Sequence, residues 1–107
     1  MKLAPDILNA KVQQAVAELK AYGAQKVILF GSAARGDADE YSDLDLIVIK
    51  PTTQRFLERL REVVKRCPVA GGEDVLVYTP DEWERMGIYG NVFAEAVHRE
   101  GRVLYEA

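Results

Sequence analysis

Apolar residues recur along the chain in two rhythms, and the rhythm predicts the elements. From residue 5 to 22 they fall at Leu8, Val12, Ala15, Val16, Leu19 and Tyr22, the stripe of an amphipathic helix with a period near 3.6. Pro5 suits its first turn and Gly23 the left-handed residue after its end. KVILF at 26–30 reads as a short buried strand that stops at Gly31-Ser32. The polar stretch 36–42 is turn-like. Residues 44–49 form a second strand, apolar on both faces and ended by Pro51. A second amphipathic helix is expected over 54–67, with Phe56, Leu57, Leu60, Val63, Val64 and Cys67 inward, broken by Pro68 and Gly71-Gly72.

DVLVY at 74–78 is a third strand. Thr79 with Glu82 three residues on is a capping-box signature, predicting a short helix through Trp83 to Met86. Gly87 and Gly90 loosen the chain, residues 91–98 make another helix, and 102–105 a last strand or tail. This alternation predicts an α/β (α+β) fold, a small mixed sheet with helices packed mainly on one face.

Composition narrows the class. A length of 107 residues predicts one domain over 1–107, able to bury roughly 65% of the unfolded chain's surface. At 49% hydrophobic and 29% charged it resembles an ordinary globular domain. A net charge of -3 argues against a surface built to coat nucleic acid. One cysteine and one histidine (Cys67, His98) exclude an internal disulfide and a Cys/His zinc site. The start has no signal-peptide pattern, and no apolar run approaches the ~18 residues of a membrane span. A cytoplasmic protein is expected.

The candidate chemistry lies between Gly31 and Asp45. Asp43 and Asp45 are two apart, so on a strand both carboxylates point the same way. Held that close, they raise each other's pKa. A divalent cation removes the penalty, and hard oxygen ligands suit Mg²⁺ or Mn²⁺. Gly31-Ser32 directly follows a strand, where backbone amides and the Ser32 hydroxyl can donate to phosphate. Each feature alone is more often a plain turn or a solvated strand entrance. Together, one short loop apart, they place donors and metal ligands around one triphosphate.

The run GSAARGDADEYSDLDL resembles the signature of the minimal nucleotidyltransferases, a branch of the DNA polymerase β-like superfamily. Its pattern, Gly-Ser-x-Ala-Arg-Gly, a spacer, then Ser-Asp-x-Asp-Leu, is met at every position, and the likeness extends to the closing EGRVLY at 100–105. The resemblance implies a nucleotidyltransferase fold and a third acid on a neighbouring strand. Asp74 falls there, with Glu73 a competitor by position. It further implies that Asp43, Asp45 and Asp74 are catalytic and hold two metal ions, which in such enzymes lie roughly 3.5–4 Å apart. Gly31 and Ser32 would hold the β- and γ-phosphates of ATP. Arg35 either reaches a phosphate or pairs with an acid such as Asp37 to brace the loop, and Ser42 caps the turn into the second strand.

Other features are blander. The basic series Arg55, Arg59, Arg61, Lys65 and Arg66 is interleaved with Glu58 and Glu62 at helical spacing, which suits a solvated, self-paired face. His98 reads as an ordinary late-helix residue. Trp83, Tyr89 and Phe93 either pack on the sheet or form a partner-facing patch.

A domain of this size shows no module for an acceptor. Proteins resembling this one are often paired with a helical HEPN-class toxin, onto whose tyrosine they transfer AMP as antitoxins. The resemblance thus implies a Mg²⁺-dependent protein adenylyltransferase with a HEPN partner in trans. The alternatives are a non-catalytic antitoxin that neutralises by complex formation, and transfer to a small molecule or RNA.

Overall fold

A computed structural model describes residues 5–36 and 43–107, with side chains from residue 9 onward. The elements run α1 (Pro5–Tyr22), β1 (Lys26–Phe30), α2 (Gly31–Arg35), β2 (Asp45–Ile49), α3 (Phe56–Arg66), a 3₁₀ turn (Ala70–Gly72), β3 (Asp74–Tyr78), α4 (Pro80–Ile88), α5 (Val92–Glu100) and β4 (Arg102–Glu106). The strands form one sheet in the order β3-β2-β1-β4. β1 is antiparallel to β2 and β4, whereas β2 and β3 are parallel. The class is the mixed α/β one that the sequence implies. The closing segment is a paired edge strand rather than a tail.

Side-chain alternation along the strands divides the core in two. Val27, Leu29, Leu46, Val48 and Val77 pack toward α1, α3 and the 3₁₀ turn, together with Ala15, Leu19, Val63 and Cys67. Ile28, Ile47 and Ile49 face the other way, toward Trp83 of α4 and Ala94 and Val97 of α5. The heavier helical layer does lie on one face. The second face is covered as well, because both strand faces are apolar and each needs a partner.

Local chemistry explains the element ends. Gly23, at φ 112°, closes α1, its amide donating to the Leu19 and Lys20 carbonyls. Thr79 and Glu82 form the expected reciprocal capping box. α4 then continues through Gly87 to Ile88, two residues past the expected end, and Asn91 caps α5 through the Ala94 amide.

The second amphipathic helix corrects one expectation. Leu57 and Val64 do not face inward: each is 65% exposed. Arg59 is buried instead, its guanidinium donating to both Glu82 carboxylate oxygens (2.6 and 3.2 Å) and to the Val77 and Gln54 carbonyls. The basic series is therefore not one solvated face. Arg66 does pair with Glu62 one turn away, as helical spacing predicts.

Candidate active site

Register brings the acids together. In the parallel β2–β3 pair Asp45 lies opposite Asp74, and both have the parity of Ile47, Ile49, Leu76 and Tyr78, the side of the sheet that faces α4 and α5. Asp43 is exposed and precedes the strand, which begins at Asp45. Strand alternation therefore fixes the direction of Asp45 alone. Asp43 is still near enough for its charge to act on Asp45.

Antiparallel register delivers the turn to the same place. Phe30, the last residue of β1, pairs with Asp45, so Gly31 emerges beside that carboxylate. Gly31 has φ +75°, and a Cβ there would collide with the Asp45 side chain. Only glycine permits both the backbone conformation and the close approach. The chain then makes the five-residue helix α2 and leaves it through Gly36, left-handed at φ 81°.

Asp45 has a pKa above the ordinary carboxylate range. Burial is the main cause, followed by the negative charges of Asp74 and Asp43, with a smaller push from Glu73; Arg35 acts in the opposite sense. A half-buried carboxylate surrounded by like charge is the electrostatic condition that a hard divalent cation relieves. The donor set of Asp43, Asp45 and Asp74, all oxygen, fits Mg²⁺ or Mn²⁺ in kind. Among the described residues no three acids are already closed around a common point as a metal cage.

Glu73 is placed differently from its neighbour. Its side chain is 4% exposed, pairs with Lys11 of α1, and accepts the Leu44 amide at 2.8 Å. Asp74 bears no such commitment to the core and is exposed. Arg35 is exposed at the end of α2, with its positive charge acting on Asp45. Ser42 and Asp37 lie outside the described residues. Ser32 occupies the first turn of α2, directly after Gly31.

A cleft of about 610 Å³ opens beside the acids, lined by Asp45, Asp74 and Glu73, by Phe30, Leu76 and Phe93 from one core cluster and by Leu60, Val63 and Val75 from the other. Phe30 and Phe93 meet edge to face at 5.7 Å. Sequence reasoning left Phe93 undecided between sheet and surface and did not connect Phe30 with the site. The signal for Phe30 was its place immediately before Gly31. Trp83 packs between Tyr78 and His98, with ring centroids 5.5 Å away on each side, whereas Tyr89 is 83% exposed.

The same fold occurs in solved structures. A toxin-antitoxin with AMP-PNP superposes with a TM-score of 0.62 at 21% identity, over 90% of this chain and 73% of that one. A putative nucleotidyltransferase from Sulfolobus solfataricus also gives 0.62, at 19% identity over 99% of this chain and 92% of its own. None of the curated proteins matches the chain. Residues 10–104 match the model of the nucleotidyltransferase domain, a span that holds Gly31 and all three acids, and the chain belongs to that family.

Proposed function

We propose that this protein is a Mg²⁺-dependent nucleotidyltransferase that moves AMP from ATP onto a tyrosine hydroxyl of a HEPN-type toxin, acting as its antitoxin. The observation that carries the reading is the pairing of Asp45 with Asp74 across parallel strands, beside a glycine that cannot bear a side chain. Family membership supports nucleotidyl transfer. The likeness to a toxin-antitoxin with AMP-PNP supports the choice of nucleotide and of setting. The lone, buried Cys67 suits a reducing cytoplasm, and among the described residues no helix is long and apolar enough to cross a membrane.

In this reading Asp43, Asp45 and Asp74 hold the metal, which when bound neutralises phosphate charge and polarises the α-phosphorus. The Gly31 backbone and Ser32 hydroxyl hold the β- and γ-phosphates, with Arg35 adding positive charge at the same mouth. The tyrosine oxygen attacks the α-phosphorus in line. An oxygen–phosphorus bond forms to the tyrosine, the α–β bridging bond breaks, and its electron pair leaves with pyrophosphate. Asp74 accepts the phenolic proton. Positioning and charge neutralisation supply most of the rate.

The test is to isolate the protein with its host partner, add Mg²⁺-ATP, and measure the partner's intact mass. An AMP-sized increase on a tyrosine is expected. Its absence, under conditions where a known family member modifies its own partner, overturns the reading. Asp43→Asn with Asp45→Asn separates transfer from simple binding. If the partner is still neutralised and the complex still forms, the protein acts by binding.

A further inference from the structure

Leu44, the residue between Asp43 and Asp45, has both of its backbone groups fixed by the opposing dyad. Its amide donates to a Glu73 carboxylate oxygen at 2.8 Å, and its carbonyl accepts the Asp74 amide at 3.0 Å. The other Glu73 oxygen is paired with Lys11 of α1. One side chain thus links three elements: the start of β2, the start of β3, and the helix packed behind them. Its burial beneath the sheet end, at 4% exposure, makes that link rigid.

The bonds fall where they set the acids' spacing. A shift of Leu44 would move Asp43 and Asp45 together, since they flank it. The Asp74 amide is bound to the same residue, so Asp74 keeps register with that movement. Asp45 and Asp74 have the strand parity that faces α4 and α5, whereas the Glu73 carboxylate reaches back to Lys11 of α1. Adjacent residues thus serve opposite faces. Asp74 stands on the open side, and Glu73 anchors from behind.

We propose that Glu73, held by Lys11, is the positioning residue of this site, fixing Asp43, Asp45 and Asp74 through the Leu44 backbone without itself touching metal or nucleotide. The inference rests on the reading of the three acids as the Mg²⁺-ATP site.

A glutamine at 73 keeps an oxygen for the Leu44 amide, and Lys11, a third exposed, can turn to solvent. An alanine keeps nothing. The experiment compares wild type, Glu73→Gln and Glu73→Ala in the full chain, by hydrogen exchange at the Leu44 amide and by titration with Mg²⁺-ATP. Glu73→Ala is expected to deprotect Leu44 and weaken Mg²⁺-ATP binding about tenfold or more, as loss of a ligand-orienting group does. Glu73→Gln is expected to keep Leu44 protected and bind within about threefold of wild type. A glutamine variant with Leu44 protected but with Mg²⁺-ATP binding lost would make Glu73 a ligand and overturn the proposal. So would a folded alanine variant that binds normally with Leu44 deprotected. Should Glu73→Ala fail to fold, the glutamine result decides alone. Wild type that binds no Mg²⁺-ATP overturns the site reading itself and takes this inference with it, an outcome distinct from both.

Discussion

The two ends of β3 treat charge in opposite ways. At the far end Arg59 is buried, but its guanidinium meets both oxygens of Glu82 and two carbonyls, and Arg59 holds the Glu82 carboxyl below its usual range. At the near end Asp45 is half-buried among Asp74 and Asp43, and its pKa is raised. The first arrangement is complete, and it joins α3 to α4. Among the described residues the second gathers like charge around Asp45, the condition that a bound cation would relieve. The contrast sets a closed ion pair beside one end of a five-residue strand against a cluster of like charge beside the other.

The comparison breaks most sharply if the near end is neutralised. Asp43→Asn with Asp45→Asn should lower AMP transfer by roughly a thousandfold or more, the scale of losing a central catalytic group. Single Asp45→Asn should leave the ligand-free protein as stable as wild type, or more stable by about 1 kcal/mol, because a costly charge is gone. A calorimetric melt beside a transfer assay reads both. A large loss of stability would mean that the acids are structural.

The far end should respond in the opposite sense. Arg59→Ala leaves the Gln54 and Val77 carbonyls without their donor and should cost about 3 kcal/mol in denaturant unfolding. Transfer by the molecules that remain folded should change little. Glu82→Gln should cost less, about 1 kcal/mol, because the Glu82 side chain is 42% exposed and water screens the pair. Equal loss of transfer and stability in Arg59→Ala would erase the distinction.

Gly31→Ala sharpens the comparison at the site itself. A methyl group there meets the Asp45 carboxylate in a left-handed backbone. Stability should fall by about 1 kcal/mol or more. Mg²⁺-ATP affinity should fall further than that loss explains, which a titration of the folded protein measures.

The smallest effect is on pH dependence. Glu82, with its pKa depressed by folding, contributes stability present above its unfolded value and lost as pH falls through the folded one. Asp45, with its pKa raised, costs stability above its folded value, and acid removes that cost. The advantage of Asp45→Asn over wild type should therefore be greatest near neutrality and vanish in acid, and the deficit of Glu82→Gln should vanish in acid too. Melts across pH 3–7 in the absence of metal test both signs.

Much of this was legible in the sequence, for identifiable reasons. β1 and β3 lie where continuous apolar runs end at glycine or polar residues, and the Thr79 capping box was readable from residue spacing alone. The nearness of Gly31 to Asp45 followed once the strands were taken as neighbours, although only the register made it a contact. Arg59 was hidden because charge was taken as a sign of exposure. Its spacing of four from Val63 and eight from Cys67, both buried, placed it on the inner stripe. Leu57 and Val64 were misplaced because the stripe was drawn too wide. Glu73 and Asp74 could not be told apart from sequence, since their difference is set by strand register and by a lysine 62 positions earlier at Lys11.

The most direct test of the central claim is titration of the purified protein with ATP in the presence and absence of Mg²⁺, alongside Asp43→Asn/Asp45→Asn. The account predicts saturable, Mg²⁺-dependent binding by wild type, with a raised melting midpoint, and neither in the folded double variant. Equal binding by both proteins, or none by wild type, would contradict it.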